Sequence, residues 1–131
     1  MTYKPLIIVL GEPYSTFQEI VFKSIRKRLL SNFKIPIVFI GSVDLFKKQM
    51  IKLGYSFKIN IIKPEDLDKK KINNKLINFI NINFKTRKVF DKISYKSKNY
   101  IKKSFDMAIK LIRKKKVSGI INGPISKKHF L

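Results

Sequence analysis

Cysteine is absent from this sequence, which excludes disulfides, a thiol nucleophile and thiolate metal sites, and fits a reducing compartment. Histidine occurs once, at His129 beside two Lys, whereas a zinc or transition-metal site needs several converging ligands. Acidic residues number only eight and are scattered, apart from Glu65, Asp66 and Asp68, whose grouping suits the start of a helix better than a metal centre. No complete acid–base pair, triad or metal constellation is therefore visible. Long apolar runs are missing too: none reaches the ~18 to 20 residues of a membrane span. The opening MTYKPLIIVLGEP has neither a basic leader nor a small-residue cleavage site, so the expectation is a cytoplasmic protein with no membrane partner.

Arginine and alanine are scarce in an informative way. Of 30 basic residues only four are Arg, and Ala108 is the single Ala, while Lys, Ile, Asn and Phe abound. That skew is the one expected where A/T-rich codons are favoured, which weighs against a selected nucleic-acid surface. The formal net charge of +22 suggests nucleic acid, but phosphate and base recognition draws on the bidentate Arg fork, so the composition argues against a nucleic-acid partner. The one local hint of a basic face with interleaved aromatics is Tyr95 and Tyr100 beside Lys96 and Lys98, and resting on the helix flank is the alternative for Tyr100.

What is present is a repeating strand–loop–helix pattern in one segment, residues 1–131. PLIIVL at 5–10 reads as a strand buried on both faces. Thr16 and Glu19 have the spacing of a capping box, and Phe17, Ile20, Val21, Ser24, Ile25 and Leu29 share a helical face. IPIVFIG at 35–41 is a second strand; Ser42 can cap a helix carrying Val43, Phe46, Met50 and Leu53, ended by Gly54. KINII at 58–62 is a third strand. Residues 65–96 are the least legible: LINFININF at 76–84 suggests a strand, with KVFDKI as a hairpin partner. Ser97 then caps a helix bearing Ile101, Ser104, Phe105, Ala108, Ile109 and Ile112, and VSGII is the last strand. The fold class is α/β, a mostly parallel sheet built from βαβ units with helices on both faces.

In such sheets ligands sit where strands hand over to helices, which selects two loops, Gly11–Ser15 and Asn122–Lys127. GEPYSTFQE has one Gly and is no nucleotide fingerprint; a tight turn before a capped helix explains it. In NGPISKK, Gly123 and Pro124 shape a turn, Ser126 can cap or bind an oxyanion, and Lys127 and Lys128 lie near a helix start, where phosphate is favoured. A routine turn in a Lys-rich chain fits the same spacing. A helix start with no helix body after it leaves two readings, a docked tail or a piece of a longer chain.

The order of these features resembles the N-terminal portion of the 4-hydroxythreonine-4-phosphate dehydrogenase (PdxA) family. GEPYSTFQE is similar to the family's GEPAGIGPE loop at Gly11, Glu12, Pro13 and Glu19, and NGPISK to its TAPINK loop at Pro124, Ile125 and Lys127. The resemblance implies a two-lobed α/β enzyme that oxidises and then decarboxylates 4-phosphohydroxy-L-threonine in pyridoxal phosphate biosynthesis. It would work as a homodimer using NAD and a divalent metal. It further implies that Lys127 contacts the phosphorylated substrate, with Asn122 and Ser126 shaping the loop and Gly11, Glu12 and Pro13 near the site. The family's substrate-binding His-Thr pair and its three metal-ligating His lie downstream of TAPINK, so no catalytic set or metal site is complete in these 131 residues and the chain alone is expected to be inactive. The family's AGIGP is replaced by Tyr14–Gln18, bulky where the family has bare backbone, and this departure sustains a second reading as a non-catalytic α/β relic.

Overall fold

The computed structural model describes residues 3–69 and 71–126. Five strands, β1 (Leu6–Val9), β2 (Ile37–Gly41), β3 (Ile59–Ile61), β4 (Ile77–Asn81) and β5 (Gly119–Asn122), form one sheet in the order β3-β4-β2-β1-β5. Every pairing is parallel, with Val9 opposite Ile40 on one side and Asn122 on the other. Helices α1 (Phe17–Arg26) and α2 (Val43–Lys52) cover one face; α3 (Lys98–Arg113) covers the other. The α/β architecture expected from the alternating pattern is the one observed.

The two faces have different cores. Beneath α1 and α2 lies an aromatic cluster: Phe22 meets Phe46 edge-on at 4.7 Å, Phe46 meets Phe79 at 4.8 Å, and Phe39 stacks on Phe79 at 5.6 Å. Beneath α3 the packing is aliphatic, with Ile7, Val9, Val38, Ile40 and Ile80 against Ile101, Ala108 and Leu111. Burying each such side chain contributes about 1.5–3 kcal/mol. Ala108 fits because α3 passes close to the sheet there.

Asparagine does structural work inside the region that reads least clearly. Asn74 accepts from the Ile37 N–H at 2.8 Å and donates to the carbonyls of Phe33 and Ile35, fixing the entry to β2. Asn78 is buried within β4 and donates to the Asn73 carbonyl at 2.9 Å while accepting from Asn60 on β3. Asn81 accepts from the Val43 N–H at 3.0 Å, tying β4 to the start of α2.

Several expectations are corrected. LINFININF does contain a strand, but Ile77–Asn81 pairs in parallel between β2 and β3, and KVFDKI is irregular backbone instead of a hairpin partner. Thr16 makes no side-chain cap; the Ser15 hydroxyl accepts from the Phe17 N–H at 3.2 Å instead, and Glu19 pairs on the surface with Lys23. Helix α1 is also rotated from the expected stripe: Phe22 is fully buried while Ile20 and Leu29 are exposed. It stops at Arg26 because Arg28 turns left-handed (φ 58°) and the Leu29 N–H bonds back to Ser24. On α3, Leu111 takes the buried place expected of Ile109 and Ile112. Ser42 does cap α2 through the Leu45 N–H, and Gly54 ends it at φ 82°.

Candidate functional site

Because β1 and β5 are neighbours, the loops at their carboxyl ends emerge together. The Gly123 N–H donates to the Val9 carbonyl at 2.6 Å, and the Glu12 N–H donates to the Pro124 carbonyl at 2.9 Å. Gly11 is left-handed (φ 75°), and a Cβ there would stand 2.6 Å from the Pro124 oxygen; one on Gly123 would stand 2.2 Å from the Leu10 oxygen. Both glycines are required because two backbones touch. The structure thus brings Gly11, Glu12 and Pro13 against the loop that begins at Asn122.

The Glu12 carboxylate points inward, only 2 % exposed, with the Ser97 hydroxyl donating at 3.1 and 3.2 Å from its two oxygens. Ser97 therefore does not cap α3 as expected; it anchors the Gly11–Ser15 loop to the start of that helix. Gln18 donates to the Glu12 carbonyl at 3.3 Å. From α2, the buried Gln49 donates to the Pro13 and Val89 carbonyls, each at 3.0 Å, while its Oε1 accepts nothing. Tyr14, on the segment that departs from the family loop, reaches Thr86 at 2.7 Å and the Lys88 carbonyl at 3.0 Å, and its ring meets Phe84 edge-on. The bulky residues thus seat residues 84–89 over the loop.

Tyr100, for which the sequence leaves a basic face and the helix flank both open, is buried. Its oxygen accepts from the Ser42 N–H at 2.8 Å, in space that exists because residue 41 is Gly. Burial pushes the phenol up to about 12, and the nearby Glu12 charge adds to the effect. At neutral pH it stays protonated and serves as a strut instead of a base. That removes half of the aromatic hint of a nucleic-acid face; Tyr95 remains exposed. In the loop above, Asp91 is held below its usual value chiefly by the Lys92 N–H, which donates to it at 2.8 Å.

Asn122 is exposed at the tip of β5, its amide on the neighbouring Gly123 carbonyl at 3.3 Å, and Ser126 is half-buried. Lys127, Lys128 and His129, and with them the expected helix start, lie outside the described residues. Sequence reasoning missed Gln49 and gave Ser97 a cap's role and Tyr100 a place beside the lysines, since local spacing does not signal a partner far along the chain. Among the described residues no group of three His, Asp or Glu could hold a metal. The bare Cα of Gly11 is covered by the Pro124 carbonyl, so this glycine offers no open backbone approach to a phosphate of a dinucleotide. These residues do not by themselves fit either cofactor. No helix among the described residues is long and apolar enough to cross a membrane.

Comparison with known structures gives the same fold. A protein described as a 4-hydroxythreonine-4-phosphate dehydrogenase from Salmonella typhimurium superposes with a TM-score of 0.81 at 19% identity, covering 96% of this chain and 38% of the other. The Burkholderia phymatum enzyme gives 0.79 at 19% over 98% and 38%, and the Klebsiella pneumoniae enzyme 0.77 at 16% over 97% and 38%. The chain thus spans 38% of the length of each of these three structures. Among curated proteins no sequence match is found. The family model described as pyridoxal phosphate biosynthetic protein PdxA matches residues 32–131, starting beyond the altered Gly11–Ser15 loop and including β2 to β5 and the NGPISK segment. With three quarters of its length matched in this way, the chain belongs to the PdxA family.

Proposed function

We propose that this chain is the N-terminal portion of an NAD-dependent dehydrogenase that oxidises 4-phosphohydroxy-L-threonine, with decarboxylation following, in pyridoxal phosphate biosynthesis. The observation that carries the reading is the family match through NGPISK, a loop that docks on Gly11–Pro13 at the carboxyl edge of adjacent parallel strands. Its role is on the substrate side: Lys127 supplies an ammonium to the phosphate, Ser126 a hydroxyl, and Asn122 shapes the turn, while Glu12 and Ser97 hold the opposing loop still. NAD and a divalent metal are implied by the family resemblance, as are a homodimer and a cytoplasmic setting.

The test is NADH formation at 340 nm by the natural-length polypeptide, with substrate and divalent metal, with and without chelator. Metal-dependent turnover is expected, with Lys127→Ala raising KM at least about tenfold through loss of a charge-assisted phosphate contact. Absence of substrate-dependent NADH from a folded full-length protein would overturn the dehydrogenase reading and favour a relic. Turnover unaffected by Lys127→Ala would remove the proposed phosphate contact.

A further inference from the structure

The opposite edge of the sheet carries a cleft of about 1040 Å³ that the proposed activity does not use. It is lined by Pro5 and Pro36, just before β1 and β2, by the buried Leu67 of the β3–β4 connection, and by Lys4, Lys34, Lys69, Lys71 and the run Lys114–Lys116. Lys makes up seven of its thirteen lining residues, more than half, against 26 of 131, a fifth, in the whole chain. The one acid, Asp68, lies 3.8 Å from Lys116 and offsets one charge, leaving six.

General lysine abundance does not account for this convergence. The negative end of the α3 dipole explains Lys114–Lys116, but the other four lysines arrive from three separate segments. The helix also ends with Lys115 left-handed (φ 56°), where glycine would be relaxed. The backbone at the two prolines is held: the Pro5 carbonyl accepts from the Ser118 N–H, and the Pro36 carbonyl from the Leu6 N–H, both at 2.8 Å. Like charges held together repel unless an anion joins them.

We propose that this cleft binds a small molecule carrying several phosphate groups. Ammonium point charges accept tetrahedral phosphates from any direction, and the volume suits a nucleotide-sized ligand. The lining has no Arg and one aromatic, Tyr3, so it lacks the stacking platform of a single-strand nucleic-acid groove.

The test is calorimetric titration of the natural-length polypeptide with sodium tripolyphosphate at about 0.15 M salt, where loose surface attraction is screened. Saturable binding is expected. Lys69→Gln/Lys71→Gln/Lys115→Gln should weaken it at least about tenfold, and the exposed triple Lys47→Gln/Lys52→Gln/Lys58→Gln, with the same change in charge, less than about twofold. Equal losses in the two triples would overturn the cleft, as would absence of saturation. Tighter binding of a twelve-residue oligothymidylate in the same salt would replace the small ligand with nucleic acid. Should the cleft triple fail to fold, amide shifts of the unsubstituted chain decide: changes confined to residues 3–5, 67–72 and 114–116 support the site, and changes spread over the surface or centred on 11–15 refute it.

Discussion

Replacing Gly123 by Ala tests whether the two site loops are one unit. The added Cβ would stand 2.2 Å from the Leu10 oxygen, 2.8 Å from its carbonyl carbon and 3.0 Å from the Val9 oxygen, all backbone atoms of the neighbouring strand. Relief requires the end of β5 to retreat by roughly 1 Å, a typical overpacking response. That movement stretches the Gly123–Val9 hydrogen bond, 2.6 Å, and the Glu12–Pro124 bond, 2.9 Å. Overpacking of about 1–3 kcal/mol and partial loss of bonds worth about 0.5–1.5 kcal/mol each give an expected destabilisation of about 2–4 kcal/mol. The control is Gly119→Ala on the same strand, where the new Cβ meets only the tip of Leu6 at 3.4 Å. Its loss of unfolded-state freedom should leave stability within about 1 kcal/mol of the parent. Urea unfolding followed by circular dichroism reads both, and at a slope of about 2 kcal/mol per molar the first variant should drop the midpoint by about 1–2 M. A Gly123→Ala midpoint indistinguishable from the parent, or an equal loss in Gly119→Ala, would refute the close backbone junction.

Two further outcomes follow from the struts around the loop. Subtracting the alkaline ultraviolet titration of Tyr100→Phe from the parent's should isolate a phenol transition near pH 12; a difference transition near the ordinary value of about 10 would refute the buried placement. Because the folded value is raised, this group's contribution to stability is intact below about pH 10 and is lost as pH rises through about 12, so the gap between parent and Tyr100→Phe should narrow over that range. Gln49→Leu strips the donor from the Pro13 and Val89 carbonyls, costing about 1–3 kcal/mol, and should speed tryptic cleavage at the exposed Arg87 and Lys88 at least about fivefold. An unchanged digestion rate would show that Gln49 does not hold the covering loop.

What the sequence reveals and what it conceals divide along a physical line. PLIIVL and IPIVFIG are legible because a strand buried on both faces must be apolar throughout, and α2 is legible because Ser42 and Gly54 mark its ends by their usual chemistry. The end of α1 is concealed because Arg28, not Gly, takes the left-handed turn that closes it. The end of α3 has the same left-handed turn at Lys115, and there the basic run 113–116 marks it in place of Gly. A search for glycine therefore finds one helix end of three. Likewise the loop positions Gly11, Glu12, Pro13 and Asn122 can be chosen from strand order alone, because parallel strands deliver their loops to one edge. The Glu12–Ser97 bond cannot: it spans 85 residues and joins side chains whose local spacing already has an ordinary explanation as cap and turn. The polar residues that hold this site look local in sequence and act across the fold, so the loop that departs from the family pattern keeps its place through Tyr14, Gln18 and Gln49 despite losing the family's small residues. Loop position is thereby separated from loop chemistry: the first is secured by the described side chains, and the second rests on the phosphate contacts proposed above for the NGPISK segment, which the Lys127→Ala assay tests.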